Sequence, residues 1–379
     1  MNFIALKMLT GDRAKYLALI FAIAFSTFLL ENQTSIFAGI LRRTGSQIRD
    51  VTEAGIWVMD RNTEYFEQTK ALKDTDLNRV GGVDGVQWAV KLFKGSPVAR
   101  TAAGKFATTF CLGVDDATLT GAPRKMLLGS WERLSEPDSV VIDKAGYILL
   151  FPDEPLELGR TLELNDHKVT IVGISDASAP FVSWPVLHTR YSLAVNFLGR
   201  ERTELSYVLV RPRPDVDAKA LCARIEQQTG LRARTSGQFQ WDCVRYYLKN
   251  TGIPVNFGIT IAIALIIGVV VAGQTFYIFT IENLKQFGAL KAIGVTNWRI
   301  TGMIVLQALT VGVFGFSVGS GLCALFFAIT LNNPATRGLV LMWQNMIGVG
   351  VAILLVVILA SLLSVRRVLV LEPAEVFRG

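Results

Sequence analysis

Four long uncharged stretches decide what this chain can fold into. Tyr16 to Leu30 carries no charge, and after Glu31 the run resumes to Leu41. Thr251 to Ile281, Ile300 to Thr336 and Gly338 to Val365 are also uncharged. A spanning helix needs roughly 20 apolar residues to cross about 30 Å of hydrocarbon, and each of the last three runs exceeds that. "VAILLVVILASLL" in the fourth is dense in residues that insert favourably. With 51% hydrophobic and 18% charged residues, the chain is too apolar for an ordinary soluble protein of its length. Four membrane spans are expected. Lys7, Arg13 and Lys15 before the first run also suit a signal peptide. The apolar region nevertheless continues past Glu31, and its A-x-A (Ala22 to Ala24) lies inside the run, so an uncleaved first span is expected.

The layout follows. Residues 1–41 hold an N-terminal segment and span one, and 42–250 form a large extracytoplasmic domain. Span two is 251–281, a cytoplasmic segment 282–299, span three 300–330, a short external loop 331–342, span four 343–365 and a cytoplasmic tail 366–379. Basic residues in short loops set the orientation. Lys285, Lys291 and Arg299 mark one loop and Arg366, Arg367 and Arg378 the tail, whereas the loop between spans three and four has only Arg337. Both termini therefore face the cytoplasm. Arg42, Arg43 and Arg49 run against this rule, but long translocated domains tolerate such charges. Trp241, Tyr246, Tyr247, Trp298 and Trp343 fit aromatic belts. The net charge of +7 is scattered, with no basic stripe, which argues against nucleic acid.

Within 42–250, "GIWVMD" alternates like a strand, "TEYFEQTKALKDTDLNRV" (63–80) reads as a helix and "VQWAVKLF" as a strand. Later, "ELSYVLVRPR", "DVDAKALCARIEQQTG" and "LRARTS" repeat strand, helix, strand. Two β-α-β halves flanking a strand-rich middle suggest a split, ferredoxin-like α+β domain with a β insert. In "TLELNDHKVTIVGI", Asn165-Asp166 stands where a hairpin turn would. The fold class is therefore membrane α-helical, with four transmembrane helices and an α+β, ferredoxin-like extracytoplasmic domain inserted between the first and second.

Nothing here reads as catalytic. His167 and His188 fit surface or packing roles, and Asp115-Asp116 ends a strand. H-E-x-x-H, G-x-S-x-G and metal-ligand spacings are absent, and Gly104-Lys105 lacks the upstream glycine of a phosphate-binding loop. A non-enzyme with no cofactor or metal of its own is expected. Cys222 and Cys243 could pair in an oxidising compartment, and buried free thiols are the equal alternative.

Some polar and small residues fall inside spans. At about 1.5 Å per residue, Glu31 lies ~22 Å beyond Tyr16, near the outer boundary of the core. An interhelical hydrogen bond and a part in substrate passage both remain open for it. Gln274 and Gln307 are candidates for interhelical hydrogen bonds, and Gly315-x-x-x-Gly319 for close helix packing within the subunit or across a dimer.

The segment between spans two and three carries Leu284, Phe287, Leu290 and Ile293 at spacings of three, with Lys285 and Lys291 off that stripe and Gly294 a plausible stop. Such an amphipathic helix can lie on lipid, pack beneath its own bundle or dock into a cytosolic partner. "ENLKQFGALKAIGVTNWRI" resembles the signature of FtsX/MacB-type permeases of ABC transporters, E-x-G-x-L-[KR]-A-[LIM]-G, matched from Leu290 to Gly294, with Gln286 where Glu is usual. "LEPAEVFRG" resembles that family's ending from Pro373 to Phe377, and Gly159, Asn165, Val172 and Gly173 resemble its external-domain motif. "YYLKNTGIPVNFGI" and "LKAIGVTN" look like the DevC-like subgroup.

The resemblance implies an inner-membrane subunit that pairs with a second copy, giving a homodimer, and with two separately encoded cytosolic ATPase subunits that bind ATP and Mg. It implies mechanotransmission: ATPase closure moves the segment Glu282 to Thr296, then the spans, then the periplasmic domain. Leu284, Phe287, Leu290, Lys291, Ala292, Ile293 and Gly294 would contact the ATPase or couple to it. A periplasmic adaptor and outer-membrane channel would carry lipid, peptide or small-molecule cargo. The alternatives are an FtsX-like regulator of a cell-wall hydrolase, a Lol-like lipoprotein-release permease and, last, a sensor.

Overall fold

A computed structural model describes the chain apart from residues 1, 12, 123–124, 198–204, 331–332, 334–335 and 371–379, and apart from the side chains of 2, 363 and 366–370. The tail motif Pro373 to Phe377, Arg378 and the side chains of Arg366 and Arg367 thus lie outside the described residues. The helices are α1 (Asn2–Gly11), α2 (Arg13–Arg43), α3 (Ser46–Asp50), α4 (Asp74–Gly81), α5 (Lys144–Leu150), α6 (Tyr191–Phe197), α7 (Ala218–Thr229), α8 (Ser236–Asn250), α9 (Ile253–Glu282), α10 (Leu284–Ala292), α11 (Asn297–Thr330) and α12 (Trp343–Val370). The strands are β1 (Ile56–Met59), β2 (Val86–Gly95), β3 (Val98–Arg100), β4 (Phe106–Thr108), β5 (Phe110–Val114), β6 (Met126–Gly129), β7 (Ser139–Asp143), β8 (Thr161–Leu164), β9 (His167–Ser175), β10 (Val186–Arg190), β11 (Tyr207–Pro212) and β12 (Arg232–Thr235). They form two compact units: one of residues 1–39, 252–331 and 339–379, the other of 40–251 and 332–338.

The first unit is helical. α2, α9, α11 and Trp343–Leu362 of α12 are long and apolar enough to cross a membrane. Leu19, Ile23, Ala272, Phe276, Val311 and Val357 pack in their shared core. Gly315 and Gly319 mark where α11 meets α2. A Cβ on Gly315 would fall 2.7 Å from Ile23 Cβ, and one on Gly319 would fall 2.5 Å from the Ala24 carbonyl oxygen. Only a hydrogen fits there, so this small-residue pair serves packing inside the subunit. The sequence places residues 2–11 in an N-terminal segment, and they are helical as α1. Its Ala5 and Leu9 are buried, and Gln307 Nε2 of α11 donates to the Ala5 carbonyl at 2.8 Å.

The second unit is built on a sheet. Its first part runs β12-β1-β11-β2, all antiparallel neighbours. α4 connects β1 to β2 across β11, and α7 connects β11 to β12 across β1. This is the split β-α-β arrangement expected from the sequence. Local chemistry explains α7. The Asp217 carboxylate accepts the Ala220 N–H at 2.9 Å as an N-cap, and Gly230 at φ 73° closes the other end. Period-2 alternation sends Ile56 and Val58 into one core with Val80, Leu221 and Ile225 of the crossover helices. Trp57 and Met59 point to the opposite face, which Phe239 of α8 and Ile48 of α3 cover.

The insert β3 to β10 extends the sheet as β5-β10-β7-β9-β8-β3-β4, with β5 on β2 and β6 on β9. Asn165 (φ 44°) and Asp166 (φ 69°) make the β8–β9 hairpin turn as read, both in the left-handed region that a type I′ turn requires. Asp115 caps its own turn by accepting from Thr118, so it does end a strand.

Two expectations need correction. The helix expected over 63–80 forms only from Asp74, because Tyr65 and Phe66 are drawn into an aromatic cluster instead. Tyr65 stacks on Tyr246 at 3.9 Å, and Phe66 packs against Trp57 and Tyr207. Cys222 and Cys243 are not bonded: Cys222 lies in the core under α7 and Cys243 in the core under α8, with the sheet between them. Cys243 Sγ instead accepts the Phe66 N–H at 3.3 Å. Burial pushes both thiols up to about 12.

Candidate functional site

The segment after α9 turns at Asn283, whose side-chain amide donates to the Phe279 carbonyl at 2.8 Å. α10 follows. It ends where Gly294 takes φ 93°, a conformation that a side chain would strain. The Gly294 N–H reaches the Lys291 carbonyl at 2.9 Å, and the Val295 N–H the Leu290 carbonyl at 3.0 Å. That bond pair is a Schellman motif. The Leu290 and Val295 side chains complete it by packing on the same cluster. Gly294 is therefore the stop that the sequence suggested, and the motif fixes the direction in which Ile293 leaves the helix.

The expected apolar stripe does not stay together. Phe287 is fully buried with Ile300, Ile304 and Val365, joined by Met8 of α1 and the half-buried Leu290. Leu284 and Lys291 are half-buried, whereas Ala292, Ile293 and Gly294 are exposed, with Ile293 at 81%. Spacing by three drifts around a helix of 3.6 residues per turn, so the far end of the stripe rotates out. Direct contact with a partner is therefore not open to Phe287 as folded. It seats α10 on its own helix bundle.

An open cleft of about 550 Å³ lies between α1 and the α9–α10 junction, lined by Phe3, Lys7, Lys15, Glu282 and Gln286 among others. Lys15 and Glu282 pair across it at 2.9 Å. Both side chains are about 40% exposed, so the pair holds little energy in water. The sequence reading missed α1 as a wall of this cleft.

The polar residues within spans divide. Ser320 Oγ of α11 donates to Glu31 Oε1 of α2 at 2.6 Å, both residues being buried, so Glu31 makes an interhelical hydrogen bond. Gln307 bonds α1, as above. Gln274 is exposed on α9 and makes no interhelical bond among the described residues, contrary to expectation. His167 is exposed beside its turn, and His188 is fully buried on β10, edge-on to Trp131. Among the described residues no three His, Cys, Asp or Glu side chains gather as metal ligands would.

Comparison with known proteins bears on what these helices serve. Residues 17–228 match the MacB-like periplasmic core domain, and residues 258–373, which include α10, match the FtsX-like permease C-terminal family. The chain belongs to the FtsX/MacB family of ABC transporter permeases. An uncharacterized ABC transporter permease of Mycobacterium tuberculosis is 29% identical to this permease over 318 residues, covering 81% of this chain and 79% of the relative. One from Methanocaldococcus jannaschii is 28% identical over 262 residues, covering 66% and 65%. The periplasmic region of MacB from Actinobacillus actinomycetemcomitans aligns at 17% identity with a TM-score of 0.37, covering 54% of this chain and 96% of that one. Family membership implies an ATPase partner for the permease.

Proposed function

We propose that this permease is the non-hydrolysing, moving part of a MacB-like exporter, driven by mechanotransmission. A separate cytosolic ATPase dimer binds ATP and Mg. Its closure pushes on the exposed end of α10, Phe287 passes the push into the helix bundle, and the spans carry it to the periplasmic domain. Both termini lie in the cytoplasm, a second copy completes the dimer, and a periplasmic adaptor with an outer-membrane channel leads lipid, peptide or small-molecule cargo outward. One observation carries this reading. A rigidly terminated helix offers Ile293 outward while holding Phe287 inside the bundle. A lipid-lying helix would turn Phe287 towards the bilayer rather than bury it among Ile300, Ile304 and Val365.

The test uses Ile293→Cys in intact and opened cells with a membrane-impermeant maleimide. The native thiols are all buried, so the label reports on the new one. Labelling only in opened cells, blocked when the ATPase is co-expressed, is the expected result. Labelling from outside intact cells overturns the orientation and the reading with it.

A further inference from the structure

The loop between α11 and α12 carries a single charge, Arg337, and that residue is tied into the second unit at both its ends. Its side chain bonds Asp143, at the end of β7, through Nη1 and Oδ2. Its backbone carbonyl accepts Arg43 Nη2, from the last residue of α2. Asp143 is fully buried, and its other oxygen accepts the Val186 N–H of β10 at 2.6 Å. Arg43 also donates to Ser183 Oγ at 3.2 Å. Beside these, α3 is stapled to the same stretch: Asp50 accepts from Ser178 Oγ at 2.6 Å and from Ser178 N at 2.7 Å, and Ser46 Oγ donates to the Ala179 carbonyl at 2.8 Å. A buried carboxylate is costly without a cation, so Asp143 gives the loop a strong reason to stay.

We propose that Arg337 is a positioning residue that fastens the α11–α12 loop to the extracytoplasmic domain, so that the last two spans move the domain as well as the first two. The proposal rests on the mechanotransmission reading above and adds a route to it. Covalent chain enters the domain from α2 and leaves it into α9. Without the Arg337 side chain, α11 and α12 would end in a loop with no charged tie to the domain. With it, each of the four spans leads into chain that belongs to the domain's unit, and the Arg337 carbonyl joins the α11–α12 loop to the end of α2.

Burial holds Asp143 above the usual carboxylate range, with Arg337 opposing that rise. Asp143→Asn is therefore a gentle variant. It keeps an oxygen for the Val186 N–H and removes the charge that Arg337 seeks. Arg337→Gln tests the other side, and Arg337→Lys retains a cation.

The test places spin labels at Lys105→Cys, on an exposed turn of the domain, and Val255→Cys, exposed on α9, in the full chain reconstituted with its ATPase in nanodiscs. The readouts are the label distance with and without a non-hydrolysable ATP analogue, and the hydrolysis rate. In the parent, nucleotide should shift the distance. In Arg337→Gln and Asp143→Asn the shift should fall to about half or less while hydrolysis stays within about twofold, and Arg337→Lys should recover part of it. A full shift in both variants overturns the proposal. No shift in the parent removes the mechanotransmission reading instead. The fastening then stands or falls on hydrogen exchange at residues 336–338, which should speed up about tenfold in Arg337→Gln, and equal exchange overturns it.

Discussion

Phe287 and Ile293 lie six residues apart in one short segment, and they face opposite environments. Phe287 has no exposed surface, and Ile293 is 81% exposed. Substitutions at the two should separate coupling from folding. Ile293→Asp is expected to leave the melting temperature of the purified permease within a few degrees and to cut ATPase stimulation more than about tenfold, a loss above 1.4 kcal/mol of coupling. Phe287→Ala should destabilise by about 3–5 kcal/mol, since it empties a packed aromatic site. Leu290→Asp, half-buried, should do both. Thermal melts in detergent and hydrolysis assays on the same preparations decide it, and equal melting losses at 287 and 293 would refute the division.

The α2–α11 contact leaves no room at Gly319. Gly319→Ala places a methyl 2.5 Å from the Ala24 carbonyl oxygen and 2.6 Å from Thr27 Cβ. Backbone cannot step aside cheaply, so a cost of about 1–3 kcal/mol is expected. Gly321→Ala, with open space around its position, is the control and should be near neutral. Size-exclusion profiles and melting curves of the pair test the contrast. Matching curves would mean the helices sit farther apart.

Glu31 and Ser320 link the same two helices by a hydroxyl-to-carboxylate bond. Glu31→Gln retains the acceptor and should keep both stability and ATP-driven activity near the parent. Glu31→Leu strands the Ser320 hydroxyl and should cost about 1–3 kcal/mol. If Glu31→Gln stays folded but loses activity, the carboxylate charge itself is at work and the purely interhelical role is wrong.

His188 sets an acid limit on the domain. Complete burial holds its imidazole at about 3, below the ordinary 6.5. The folded state therefore binds this proton less readily than the unfolded chain. The stability from His188 is fully present above about pH 6.5 and is lost as pH falls towards 3. The slope approaches about 1.4 kcal/mol per pH unit. Asp143, raised by burial, works in the opposite sense, so the informative quantity is a difference between variants. His188→Leu should flatten the fall in melting temperature between pH 6 and 4 relative to the parent, and parallel curves would remove His188 as the cause.

Much of this architecture was legible because the sequence signals are periodic. The four spans show as uncharged runs, the split β-α-β halves as alternation changing to helical spacing and back, and the β8–β9 turn as Asn165-Asp166. What escaped depended on partners distant in sequence. Tyr65 and Phe66 sit in a good helical pattern, but Tyr246 offers the first, and Trp57 and Tyr207 offer the second, more contact than a helix would. Cys222 and Cys243 look like a spaced pair until the sheet is seen to lie between them. The stripe from Leu284 to Ile293 was visible, but which of its members faces inward depends on Met8, Ile300 and Val365. Arg337 counted only as a lone charge in a loop, since nothing in its neighbourhood points to Asp143, 194 residues away.

Ile56 of β1 pairs directly with Thr235 of β12. Facing residues of an antiparallel pair have their Cα atoms about 5 Å apart. The doorway into the domain and the doorway out of it thus stand side by side, however much chain lies behind them. Grafting a relative's head between 57 and 234 thus asks for two neighbouring strand ends to be matched, and also for a new acid where Asp143 now holds Arg337 and a new acceptor where Ser183 now meets Arg43.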